Sequence, residues 1–181
     1  MRVVDTPLAG VLVLEPRVFR DPRGFFLETY REDRLADVGI TDRFVQANQS
    51  RSVRDTLRGL HWQWRRPQAK LVRVVTGSIF DAVVDVRRSS STFGRWCGVE
   101  LSADNFQQLY VPVGFAHGFC VTSDEADVEY LCSDYYDPTG EAGLVWNDPA
   151  IGIQWPTSCP LLSEKDARNL RLDVSRKDLL G

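Results

Sequence analysis

The chain reads as an all-β protein, a sandwich or barrel of short strands with a few minor helices. Three observations predict this. Apolar runs rich in β-branched and aromatic residues recur from Leu71 onward. Turn residues separate them at roughly 8–12-residue spacing. Helical patterning is confined to two short stretches.

In chain order, Val11–Leu14 is apolar and stops at Glu15-Pro16. Asp21-Pro22-Arg23-Gly24 reads as a turn leading into a strand over Phe25–Tyr30. Arg31–Val38 predicts a helix, with Gly39 suited to its C-terminal cap. Phe44–Asn48 predicts a short strand whose alternation puts Gln46 and Asn48 on one face. Strands are then expected over Leu71–Val75, Ile79–Val86, Trp96–Leu101, Gln108–Val111, Gly118–Thr122 and Val128–Cys132. The breaks between them include Thr76-Gly77-Ser78, Ser89-Ser90-Ser91 and Pro112-Val113-Gly114. Ser163-Glu164-Lys165-Asp166 has the spacing of a capping box opening a short helix. There is no repeat, low-complexity tract or linker, so one domain over residues 1–181 is expected.

Composition narrows the function classes. Hydrophobic content of 43% and charged content of 26% are those of ordinary globular material. No apolar run approaches the roughly 20 residues of a membrane-spanning helix, and Met1–Pro7 lacks the apolar core of a signal peptide. No membrane association is expected. Cys97, Cys120, Cys132 and Cys159 are widely spaced with no CxxC pair. That disfavours a zinc ribbon or a thioredoxin-like site and suits reduced thiols in the cytoplasm. The net charge of −3 disfavours nucleic acid as a partner. Three of the 22 basic residues are lysines, leaving 19 arginines, whose planar bidentate geometry suits phosphate.

Leu57-Arg58-Gly59-Leu60-His61-Trp62-Gln63 places one of two histidines beside a glycine in an apolar run. Such a histidine can be a proton-transfer base, a metal ligand or a packed ring. Strand alternation puts Gly59, His61 and Gln63 on one face, with Arg58 and Lys70 near its ends. That face is polar for a core, and Gly59 would let the backbone approach a ligand. His117 lies in Pro112-Val113-Gly114-Phe115-Ala116-His117-Gly118-Phe119, which resembles the second motif of the cupin superfamily of small β-barrels. The first cupin motif needs a His-x-His pair, and here His61 is followed by Trp62 and Gln63. Two histidines cannot make the usual three-histidine metal site; a site of two histidines and one carboxylate is the remaining metal-dependent alternative. Tyr130, Tyr135 and Tyr136 fit half-buried strand residues with wet hydroxyls, or a proton donor and a stacking surface. Asp166 fits a helix cap as well as a catalytic carboxylate, and Arg23 fits a surface arginine.

Taken together, these stretches resemble the dTDP-4-dehydrorhamnose 3,5-epimerases along nearly the whole chain. Gly10–Pro16, Asp21–Glu28, Phe44–Asn48, Leu57–Gln63, Lys70–Arg73, Pro112–Phe119, Tyr130–Tyr136 and Leu162–Asp166 follow the family's order. The resemblance implies a cupin-like double-stranded β-helix, or jelly-roll barrel. It implies a metal-free, cofactor-free epimerase acting at C3 and C5 of dTDP-4-dehydro-6-deoxy-D-glucose. It implies His61 as base, Asp166 as its carboxylate partner, Lys70 as stabiliser of the enolate oxygen and Tyr130 as acid on the other face. Arg23 and Arg58 match phosphate contacts. Gln46, Asn48, Glu28, His117 and Glu141 match positions lining the nucleotide-sugar pocket, Tyr136 a residue stacking on thymine, and Lys165 a further substrate contact. The family's homodimers exchange an N-terminal segment, so part of each site is expected from the partner. Two departures stand beside reactive residues: Trp62 where tyrosine or phenylalanine is common, and Leu131 where lysine often follows the tyrosine. They keep open a single-site 3- or 5-epimerase of a related dTDP-4-keto-6-deoxyhexose.

Overall fold

The structure is a computed structural model covering residues 1–181. Its strands are β1 (Arg2–Leu8), β2 (Val11–Glu15), β3 (Val18–Asp21), β4 (Gly24–Leu27), β5 (Gln46–Val53), β6 (Leu57–Gln63) and β7 (Lys70–Thr76). They continue as β8 (Ser78–Asp85), β9 (Trp96–Ser102), β10 (Gln108–Val111), β11 (Phe115–Val121), β12 (Glu125–Cys132) and β13 (Glu141–Gly143). One helix, α1 (Glu32–Ala36), and one 3₁₀ turn, Asp166–Arg168, complete the regular structure.

A six-stranded sheet has the order β1-β2-β10-β7-β12-β5, and a five-stranded sheet the order β13-β6-β11-β8-β9. From β6 onward the chain alternates between the two sheets except at β8 and β9, which pair with each other in the five-stranded sheet, and the strand pairings are antiparallel. This winding is the cupin-like jelly roll expected. The hairpin β3–β4 joins neither sheet.

Alternation along the strands sorts side chains into three cores. Val11, Val13, Val72, Val74, Ile79, Val83, Phe119 and Val128 meet between the sheets. Leu60, Trp62, Val84, Ala116 and Leu144 pack outside the five-stranded sheet. Leu14, Leu35, Ile40, Leu71 and Tyr110 pack α1 against the outside of the six-stranded sheet. Each fully buried aliphatic side chain contributes roughly 1.5–3 kcal/mol.

Several elements differ from those expected. β1 was not foreseen because Arg2–Leu8 is mostly exposed and contains Asp5, Thr6 and Pro7; pairing with β2 at a sheet edge makes it a strand. β5 runs on to Val53 through a polar sequence, because its inward positions face a cavity rather than a core. β11 begins at Phe115, three residues early, and α1 has only five residues of the expected eight. Gly39 does close it: at φ +87° its N–H donates to the Ala36 carbonyl at 3.0 Å.

Candidate active site

The space between the sheets is apolar at one end and polar at the other. On β12, Val128 belongs to the core while Tyr130 and Cys132, on the same face, line a cavity. On β7, Val72 and Val74 are core and Lys70 lines the cavity. Gln46, Asn48 and Ser50 do the same from β5, and His61 and His117 from the facing sheet. Two compartments of about 450 and 310 Å³ meet at His61, Lys70 and Tyr130, which line both.

A bulge in β6 shapes this wall. His61 pairs with His117 and Arg58 with Phe119, so Gly59 and Leu60 together face the single residue Gly118. A Cβ on Gly59 would lie 2.7 Å from both the Gly118 Cα and the His117 carbonyl oxygen, and φ at Gly59 is +112°. The extra residue carries Arg58 onto the cavity wall with His61, where plain alternation would separate them. Gly59 therefore serves strand–strand approach, which corrects the expectation that it admits a ligand.

His61 lies between two carboxylates. Its Nε2 is 2.5 Å from Asp166 Oδ1, and its Nδ1 is 3.9 Å from Glu141 Oε1. Burial alone would raise the pKa of Asp166, but the contact with His61 and the Ser163 hydroxyl outweigh it and hold the carboxyl below its ordinary value. An ionised carboxylate can only accept, so in neutral His61 the proton sits on Nε2 and the Nδ1 lone pair is free. Glu141 bonds Lys165, and the Tyr136 hydroxyl donates to Glu141 Oε2 at 2.6 Å. Burial would raise Glu141 too; Lys165, Tyr136 and His61 together keep it low. The Tyr136 phenol is pushed up to about 12, chiefly by that hydrogen bond.

Lys70 and Tyr130 stand on the opposite wall from His61. The Lys70 ammonium lies 5.9 Å from the Tyr130 ring centroid and has no carboxylate within 4.0 Å. Burial lowers its pKa, against the pull of Cys132, Asp81 and Glu141. Burial likewise raises the Tyr130 phenol, with Arg58 opposing. His117 Nε2 is held 2.9 Å from the fully buried Asp81, and Arg58 Nε donates to Ser52 Oγ at 2.9 Å.

The arrangement sets an imidazole on one wall against a phenol with an ammonium beside it on the facing wall. The chain matches the family model described as dTDP-4-dehydrorhamnose 3,5-epimerase over residues 5–173. The chain belongs to this family. A dTDP-4-dehydrorhamnose 3,5-epimerase of Neisseria gonorrhoeae is 55% identical over 92% of the chain, which spans about half (51%) of that relative's length. The enzyme of the same name from Escherichia coli is 50% identical, covering 96% of this chain and 95% of its own. Among solved structures, a dTDP-6-deoxy-D-glucose-3,5-epimerase of Legionella pneumophila in complex with dTDP-4-keto-L-rhamnose superposes with a TM-score of 0.95. It is 44% identical, covering 99% of this chain and 97% of that one.

The two compartments bring together eleven of the thirteen residues that the family resemblance nominated. His61, Lys70, Tyr130, Asp166, Arg58, His117 and Lys165 line the larger, and Gln46, Asn48, Tyr136 and Glu141 the smaller. Arg23 and Glu28 are not among them. Arg23 is exposed at the tip of the β3–β4 hairpin, paired with Asp21 at 2.6 Å, and Glu28 is exposed where that hairpin ends. The nominated residues do not include Ser50, Phe119 or Cys132, which also line the cavity, nor Asp81, which holds His117. Inward alternation with their nominated neighbours was the available signal for Ser50 and Cys132. Of the two family departures, Trp62 is buried in the outer core with Leu60 while also contributing to the wall of the smaller compartment, and Leu131 packs against the cluster of Leu35 and Ile40, outside the cavity lining.

Proposed function

We propose that this protein epimerises dTDP-4-dehydro-6-deoxy-D-glucose at C3 and C5, giving dTDP-4-dehydro-L-rhamnose. The observation that carries the reading is the placement of His61 and Tyr130 on opposite walls of one cavity, with Lys70 beside Tyr130. The substrate's 4-keto group acidifies the C–H bonds on its two neighbours. His61 Nδ1 takes one of these protons, and the resulting imidazolium is stabilised by Asp166 and Glu141. The electron pair moves to the ketone oxygen, where the Lys70 ammonium stabilises the enolate. Tyr130 then gives its proton to the carbon from the other face, inverting it. Exchange with solvent returns a proton to the phenolate and removes one from the imidazolium. Arg58 suits the diphosphate, Gln46, Asn48, Glu141, His117 and Lys165 the sugar and nucleoside polar groups, and Tyr136 the base.

The outlying hairpin fits a homodimer. Phe19, Phe25 and Phe26 on it are 48%, 56% and 69% exposed, an apolar surface of the kind a partner covers. A second copy would bring Arg23 and Glu28 to its neighbour's cavity; light scattering that returns a monomer mass at working concentration would overturn this part. No helix is long and apolar enough to cross a membrane, and the four cysteines are unpaired, in keeping with work in the cytoplasm. The reaction itself is tested by proton NMR in D₂O: deuterium entering at C3 and C5 supports the reading, and no exchange at either overturns it.

A further inference from the structure

The strand that carries His61 is gripped from behind. Trp62 is 3% exposed and packs in the outer core with Leu60 and Leu179. Its indole N–H donates to the Asp178 carbonyl oxygen at 2.8 Å, and the Arg176 guanidinium lies 5.0 Å from its ring centroid. Arg176 has a side chain only 10% exposed. Its Nη1 donates to the Gly143 carbonyl at 3.0 Å, while Nε and Nη2 bond both carboxylate oxygens of Asp178 at 2.9 and 2.7 Å. Gly143 is the residue paired with His61 across β6 and β13. The segment is itself anchored: Arg88 N–H donates to Leu180 O at 2.8 Å, and Leu179 is buried.

β13 is a sheet-edge strand of three residues paired only with β6, yet it carries Glu141, one of the two carboxylates flanking His61. So short an edge strand has little intrinsic stability. Arg176 fastens its far end, and Asp178 fastens the residue next to His61.

We propose that Arg176–Leu180 is a clamp that positions the catalytic histidine, with Trp62, Arg176 and Asp178 as positioning residues. The inference rests on the epimerase reading for its effect on rate. The family match ends at Asp173, so Arg176 and Asp178 lie outside the stretch it describes. Trp62→Phe would keep an aromatic ring in the outer core but lose the indole N–H and part of the buried volume, leaving the Asp178 carbonyl without its donor.

The test uses the full chain with Trp62→Phe, Arg176→Met and the double variant, each checked for cooperative melting above the assay temperature. Each single change should lower kcat roughly tenfold and raise KM by clearly less, because the base is misplaced while every nominated substrate contact except Glu141 lies off β13. The double variant should be little worse than the worse single one, as members of one network are not additive. A second readout needs no turnover. The chain has two histidines, so a ¹⁵N-histidine sample shows two imidazoles, each on its own carboxylate. The variants should shift or broaden the His61 ring signals and leave those of His117 in place. Folded variants with kcat within twofold of wild type, or both histidines moving alike, would overturn the clamp. If the unaltered protein gave no turnover, the epimerase reading would fail and the imidazole signals would still decide the clamp.

Discussion

Replacing Asp166 by asparagine removes one charge from the site and little else. The residue-166 backbone N–H would still donate to Ser163 Oγ at 3.0 Å, so the start of the 3₁₀ turn keeps its cap. What is lost is the negative partner of His61. A 2.5 Å contact between ring nitrogen and carboxylate oxygen puts the charge centres about 4 Å apart. At an effective dielectric near 20 that pairing is worth about 4 kcal/mol. At 1.36 kcal/mol per decade, Asp166→Asn should lower kcat by roughly 10³. Asparagine also frees the ring to place its proton on Nδ1, which acts in the same direction. The assay is turnover of dTDP-4-dehydro-6-deoxy-D-glucose, followed by deuterium wash-in, with the melting temperature recorded alongside. A folded Asp166→Asn protein with kcat within about threefold of wild type would refute the pairing as a catalytic device and leave Asp166 a turn residue.

Lys70→Ala should cost kcat roughly 10²–10³ and KM much less, since the ammonium acts on charge that develops only at the enolate; equal losses in both, measured by steady-state kinetics, would make Lys70 a plain substrate contact. Glu141→Gln bears on stability against pH. Glu141 titrates lower in the folded chain than its ordinary 4.5, so its contribution is present above that value and lost as pH falls through the folded pKa. The melting temperature of Glu141→Gln should therefore lie below wild type at neutral pH, with the gap closing under acid conditions. A gap that persists unchanged to low pH would contradict the charge-based account.

The strands from β7 to β12 were legible because each packs one face on a core, so apolar periodicity marks them directly. β5 extends beyond its apolar signal for the opposite reason: its inward residues Gln46, Asn48 and Ser50 face the cavity and carry no hydrophobic pattern. β1 and β13 owe their conformation to partners, which a local pattern does not contain. The site divides in the same way. A histidine on a polar strand face could be read from His61 and its neighbours, but not its use. Asp166 is 105 residues away, and only family resemblance linked the two. The capping-box spacing at Ser163 is only half realised: the Asp166 N–H donates to Ser163 Oγ at the start of a three-residue 3₁₀ turn, while the carboxylate that would close the box turns to His61 instead. The β6 bulge needed the structure, because Gly59 answers to Gly118 across the sheet. Of the two departures beside reactive residues, Leu131 packs away from the cavity, while Trp62 is held in the outer core and still borders the smaller compartment.

The central claim is that His61 and Tyr130 exchange protons on opposite faces of the carbons beside a ketone. The most direct measurement is proton NMR of dTDP-4-dehydro-6-deoxy-D-glucose incubated with the protein in D₂O, repeated with His61→Ala and Tyr130→Phe. Deuterium should enter at both C3 and C5 with wild type, accompanied by the L-rhamno product, and both variants should lose product formation. Exchange at one carbon only, or product formed at near wild-type rate by His61→Ala, would contradict the account.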